Sequence, residues 1–168
     1  MARNTNINQV INRLRNEVAN ITDEIEAVTR DNAYLIEQKS KQLAPKNFGK
    51  LAQSISNYKS GELQYTITVN ETYGAYMEFG TGTKVQVPND FKEIAESFRG
   101  KSGGTFDEGL ESIKAWCRAK GIDEKDAKWI FINILRNGID PQPFLYPAYV
   151  EGKERYLNDL KALLRRNR

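Results

Sequence analysis

Three sets of side chains have types and spacings that chemistry can use. The run Ala95-Glu96-Ser97-Phe98-Arg99-Gly100-Lys101-Ser102 imitates a phosphate-binding loop with Ala in place of the first glycine. Such a loop needs a strand before it and a helix directly after it, so that backbone N–H groups and the helix N-terminus cradle the phosphates. Here the preceding residues have a helical pattern, Gly103 and Gly104 follow, and no strand–helix–strand pattern surrounds the run; nucleotide binding through Lys101 is therefore not expected. Asp107, Glu108 and Glu111 could be taken for a carboxylate pair, but they fall in the first turn of a helix, where the macrodipole favours acids. Glu78 is embedded in Tyr76-Met77-Glu78-Phe79-Gly80, where an ionised carboxylate needs a partner. It is either a general base or half of a salt bridge locking a loop or subunit contact. The second reading is favoured because no second catalytic group accompanies it.

The inventory narrows the chemistry further. With no histidine and one cysteine, Ser-His-Asp triads, Cys-His dyads and zinc sites are excluded, while carboxylate or lysine chemistry remains open. Cys117 cannot close an intramolecular disulfide, and beside Trp116 in a helical stretch it reads as a packed core thiol. No catalytic residue, cofactor or metal ligand is assigned. The net charge of +3 does not mark a nucleic-acid binder, which concentrates Lys and Arg on one face. Arg165, Arg166 and Arg168 form the one local concentration; they either complement the negative end of a final helix or touch phosphate or an acidic neighbour.

These residues must be positioned by elements legible in the pattern. The length of 168 residues suits a single domain with one core. No run is long and apolar enough to span a bilayer, and the N-terminus lacks the blocks of a signal peptide, so a chain beginning at Met1 in a cytoplasm is expected. Residues 1–43 contain neither Gly nor Pro and stop at Ala44-Pro45, which predicts one long helix. Ile7, Ile11, Leu14, Val18, Ile21, Ile25, Val28 and Leu35 alternate steps of three and four as a heptad seam does. Asn32 occupies a seam position, either fixing register or sitting at a solvated end. A helix from about residue 6 to 43 would be roughly 55 Å long, against a radius of gyration near 15 Å for a compact chain of this size. Part of the seam should overhang the globule and face a neighbouring subunit.

Beyond Pro45 the period changes. Leu63, Tyr65, Ile67 and Val69 alternate with polar residues, which predicts a half-buried strand paired with Ser54 to Lys59 through a Ser60-Gly61-Glu62 loop with Gly at the special position. Thr72 to Phe79 forms a third strand or a short helix, and residues 44–88 make the small antiparallel sheet region. Gly80-Thr81-Gly82-Thr83-Lys84 marks a turn or exposed loop. Residues 89–138 read as a helical insertion. One helix runs from Asn89 to Gly100, a second opens on a Thr105/Glu108 capping box and stops at Gly121, and a third starts at Asp123 and closes at Gly138. Residues 139–168 hold a rigid proline-rich segment and a last helix from about Pro147, with Val150, Leu157, Leu160 and Leu164 on one side. The fold class is α+β: long N-terminal helix, small antiparallel sheet, helical insertion and C-terminal helix.

Four blocks occur in a telling order: Ala44-Pro45, Leu51 to Ile55, Tyr73-Gly74-Ala75-Tyr76-Met77-Glu78-Phe79-Gly80-Thr81, and Gln142-Pro143-Phe144-Leu145-Tyr146-Pro147-Ala148. In them the sequence resembles the tail-component family of tailed phages, from about Ala44 to the C-terminus. Gly74 and the helices between Pro88 and Gly138 depart from the pattern of short members. The resemblance implies a non-enzymatic structural virion protein, a head–tail connector, neck or tail-completion subunit. It would form a homo-oligomeric ring on the particle axis, assembled in the bacterial host cytoplasm. Its partners would be neck, tail-terminator or tail-tube and connector proteins, with passing contact to phage DNA and no membrane. The contact residues expected are Ile11, Val18, Ile25 and Asn32 on the long helix, Glu78, Phe79, Gly80, Thr81, Gly82 and Thr83, Pro143, Phe144 and Leu145, and Arg165 and Arg166. Phe144 is expected to be buried in its own subunit. The alternative is a nucleic-acid-binding accessory protein using the basic C-terminus.

Overall fold

The computed structural model describes residues 2–46, 49–71, 73–98 and 105–166. Along the chain run α1 (Ala2–Leu43), α2 (Lys50–Ser54), β1 (Ile55–Gly61), β2 (Gln64–Val69), α3 (Gly74–Phe79), α4 (Lys92–Phe98), α5 (Phe106–Lys120), α6 (Ala127–Asn137) and α7 (Leu145–Arg166). The structure is mostly helical, with a two-stranded antiparallel hairpin and a long C-terminal helix packed on α1. Among the described residues no helix is long and apolar enough to cross a membrane. The chain divides into two compact units, one made of the residues up to Asn70 with those from Pro147 on, the other of Glu71–Tyr146.

In the first unit α1 is longer than its seam required, because nothing before Ala44-Pro45 stops it; at 1.5 Å per residue it is about 63 Å long. α7 lies antiparallel against its C-terminal part. Glu24 pairs with Arg166 at 3.0 Å and Lys39 with Glu151 at 2.9 Å, while Thr29 meets the Tyr156 hydroxyl at 3.1 Å. The side of α7 that packs has small residues where the helices approach most closely. Ala148, Gly152 and Leu163 are buried, and a Cβ on Gly152 would stand 2.1 Å from Ile36 Cγ1. Of the apolar side seen in the sequence, Val150, Leu157 and Leu164 are exposed, Leu157 at the edge of a cleft against α1, and Leu160 is half-buried. Close approach of the two helices selects small residues at Ala148 and Gly152, with Leu163 buried near the far end.

The hairpin pairs Ile55 with Val69 through Lys59 with Tyr65, then shifts by a bulge so that Gly61 pairs with Gln64. The turn is therefore Glu62-Leu63, and the left-handed residue is Leu63 at φ 54°, not Gly61. Leu63 leaves the predicted strand for the turn. Its side chain lines an open, largely apolar cleft with Ile36, Ile67, Tyr149 and Tyr156, and this burial offsets a left-handed cost of about 1–2 kcal/mol. Leu51 and Ile55, from the short α2 and the start of β1, are fully buried beneath the hairpin.

Buried Glu37 ties the hairpin to α1. It accepts the Asn57 backbone N–H at 2.9 Å, and the Asn57 amide and Lys41 ammonium also donate to it. Burial alone would raise its titration, but those donors outweigh burial and hold the carboxyl below its ordinary range. A depressed carboxyl stabilises the fold above the unfolded-state titration, and that stability is lost as pH falls through the folded one. Glu37→Gln is expected to cost about 1–3 kcal/mol at pH 7. In urea unfolding followed by circular dichroism, the gap from wild type should close as the pH is lowered below about 4. A gap unchanged with pH would refute the ionised role.

In the second unit the open choice at Thr72 to Phe79 falls to a helix, α3; Thr72 itself lies outside the described residues. The helix predicted from Asn89 begins as a tight turn, Asn89–Phe91, and continues as α4. Phe91 packs edge-on between Phe79 and Tyr146, with ring centres 6.3 and 5.1 Å away. The capping box of α5 is formed, with Thr105 N–H donating to Glu108 at 2.8 Å and Glu108 N–H to Thr105 at 3.3 Å. α6 begins four residues later than predicted, since Asp123 caps a single 3-10 turn, Glu124–Asp126, by accepting from Lys125 N–H at 3.0 Å. Cys117 and Ala127 are fully buried, and Phe106 packs on Phe131 at 5.1 Å. Of the phosphate-loop imitation, Ala95 to Phe98 lie in α4, and Gly100, Lys101 and Ser102 fall outside the described residues.

Candidate functional site

Glu78 is 4 % exposed, and its partner is not a cation. One carboxylate oxygen accepts N–H from Phe144 at 2.8 Å and Leu145 at 2.9 Å, and the other accepts N–H from Tyr146 at 2.8 Å. The salt bridge expected from the sequence is replaced by the start of α7. A helix N-terminus offers N–H groups without intrahelical partners and the positive end of the dipole, which together neutralise a buried carboxylate as a cation would. With both oxygens committed to amides, the geometry is that of a structural latch.

The surrounding backbone closes the same junction. Gln142 N–H donates to Met77 C=O at 2.7 Å, Thr81 N–H to Ile139 C=O at 3.0 Å, and Gln86 N–H to Phe79 C=O at 2.8 Å. The Thr81 hydroxyl accepts Ile139 N–H at 2.8 Å, and Lys84 pairs with Asp140 at 2.8 Å. Gly80 (φ 75°, ψ −178°) holds a conformation reserved for glycine, and a Cβ there would lie 2.8 Å from Ile139 O. Phe79 and Gly80 are buried, and Phe144 is 1 % exposed, so its own subunit covers it. Leu145 is half-buried, while Pro143, Gly82 and Thr83 remain exposed. The third and fourth sequence blocks thus form one locked junction. Beside it opens an apolar cavity of about 310 Å³ lined by Tyr76, Phe79, Val85, Val87 and Ala95.

The residues expected on α1 separate into two groups. Asn32 is buried and donates to Val28 C=O at 3.0 Å and to Asp159 of α7 at 2.9 Å, which removes the solvated-end reading. Ile25 is half-buried. Ile11 and Val18 are exposed, with Ile7, Val10 and Leu14 beside them. Every residue from 7 to 20 is exposed, and the described part of α7 reaches as far as Glu24. The apolar seam therefore continues past its intramolecular partner for about 25–30 Å. Arg165 and Arg166 are exposed in the last turn of α7, Arg166 paired with Glu24; Arg168 lies outside the described residues.

One surface escaped the sequence reading. Trp129 and Leu135 on α6 are 72 % and 60 % exposed. The signal was present in the run Trp129-Ile130-Phe131-Ile132-Asn133-Ile134-Leu135, which is apolar on too many sides for a helix with one neighbour.

Comparison with known proteins finds a likeness in the N-terminal part. Residues 8–80 match the family model described as "Bacteriophage HK97-gp10, putative tail-component". No curated protein and no solved structure matches the chain. The match begins earlier than the sequence blocks did, taking in most of α1, and ends at Gly80, so the Pro143–Ala148 block stands outside it. The stretch that is similar to this phage tail-component family runs from the exposed seam of α1 through the hairpin to the Glu78 turn.

Proposed function

We propose that the protein is a structural subunit of the phage virion at the head–tail joint, a connector, neck or tail-completion component that acts by binding other virion proteins and catalyses nothing. The observation that carries this reading is the seam of α1. Its C-terminal part is filled by α7, and its N-terminal part presents Ile7, Val10, Ile11, Leu14 and Val18 to solvent with no partner from its own unit. An apolar row of this length on a helix asks for a protein surface. The subunit joins copies of itself into a ring, meets neck, tail-terminator or tail-tube proteins along α1, and resides in the virion after assembly in the host cytoplasm. DNA passing the ring makes no more than incidental contact, since Arg166 already pairs with Glu24.

The test is a double variant, Ile11→Glu with Val18→Glu. Both positions are exposed, so urea stability should stay within about 0.5 kcal/mol of wild type. Association measured by sedimentation should weaken by about tenfold or more, and particles should exclude the variant. A wild-type chain that stays monomeric at high concentration and is absent from purified virions would refute the proposal. Duplex affinity with a steep salt dependence, lost on removing Arg165 and Arg166, would favour nucleic-acid binding instead.

A further inference from the structure

α6 carries apolar side chains at six of the seven positions from Trp129 to Leu135. A helix hydrophobic on all sides is stable when covered on all sides, yet within its unit α6 is covered mainly by α5, with the Gly82–Lys84 turn against its C-terminal end and the Glu124–Asp126 turn at its start. There Ala127 is fully buried, and Phe131 occupies the space above Gly109, where a Cβ would stand 2.4 Å from its ring. On the other side Trp129 has the largest exposure of any large apolar side chain described, and half-buried Ile132 and exposed Leu135 follow it at steps of three residues along one edge. Lys128 and Arg136 are exposed on the same side, and α6 contains no Asp or Glu.

We propose that this side of α6 docks a different protein, through a surface with an apolar centre and an acidic rim. A tryptophan surrounded by branched apolar groups and long cationic side chains is the composition of an interface centre. The sign of the rim selects the partner: Lys128 and Arg136 meet carboxylates favourably and one another unfavourably. A second copy docking through the same face would bring those cations toward their symmetry mates with no acid on α6 to separate them. A nucleic acid would set its phosphates against Ile132 and Leu135, and two cations are few for such a contact. The surface lies outside the family match and is separate from the α1 seam. It rests on the virion reading and adds a second binding direction to it.

The experiment uses particles assembled with the full chain carrying a benzoylphenylalanine photo-crosslinker in place of Trp129. The expected product joins the chain to one other virion protein, at a peptide rich in Asp or Glu, as identified by mass spectrometry. Lys128→Glu with Arg136→Glu should lower that cross-link on the order of 10- to 100-fold while leaving the thermal unfolding midpoint unchanged. Cross-linking to a second copy or to DNA, no cross-link in particles that contain the chain, or indifference to the charge reversal would each overturn the proposal alone. Absence of the chain from particles would remove the virion reading and this surface with it.

Discussion

Glu78→Ala is expected to destabilise the Glu71–Tyr146 unit by about 3–5 kcal/mol, because it strands three amides that now share one buried charge. Their geometry leaves no substitute, since Phe144 N–H, Leu145 N–H and Tyr146 N–H all point at the two oxygens of one side chain. Glu78→Gln keeps the shape but turns a donor toward donors and removes the charge, so its cost should be smaller, about 2 kcal/mol. Trp116 and Trp129 both belong to this unit, so tryptophan emission during urea unfolding reads its stability. Hydrogen exchange at residues 144–146 should accelerate in both variants. A Glu78→Ala protein within about 0.5 kcal/mol of wild type, with those amides still protected, would mean that the latch contributes nothing.

The second large effect concerns a backbone contact. Gly138 stands at φ 76° and ψ 178°, a region essentially confined to glycine,. A Cβ there would fall 1.9 Å from the carbonyl oxygen of Thr81. That oxygen belongs to backbone already fixed by the Thr81–Ile139 pair of hydrogen bonds, so it cannot withdraw as a flexible side chain would. Gly138→Ala should therefore cost about 3–5 kcal/mol, combining conformational strain with a forced displacement. Gly121→Ala is the matched control. Gly121 also has positive φ, 69°, but a Cβ there meets nothing within 4 Å, so only the left-handed penalty of about 1 kcal/mol remains. Equal costs at the two positions in the same urea assay would show that the close approach of Gly138 to Thr81 is unimportant.

Both predictions concern the junction of two sequence blocks about 60 residues apart. Each block was visible by itself, Glu78 as a carboxylate in apolar company and Phe144 as an aromatic on a rigid segment. Their union was not, because the partner of Glu78 is a set of backbone amides, and every residue but proline carries one. Had the partner been an arginine, its type would have stood out in the chain. The same blindness explains Gly138, whose neighbour is a carbonyl oxygen.

Local periodicity and punctuation determined much of the rest. The heptad seam and the absence of Gly and Pro before Ala44-Pro45 set α1, strict alternation set β2, and Thr105 with Glu108 set the start of α5, because each depends on residues within a few positions of one another,. Tertiary packing decided what those rules leave open. It buried the Ala148, Gly152 and Leu163 side of α7 and left Val150, Leu157 and Leu164 exposed, since Ile36 needs the space at Gly152. It placed the left-handed turn residue at Leu63, whose side chain finds a cleft, over the freer Gly61. It also divided one continuous seam on α1 into a covered part, which α7 packs against as far as the Arg166–Glu24 pair, and an uncovered part from Ile7 to Val18.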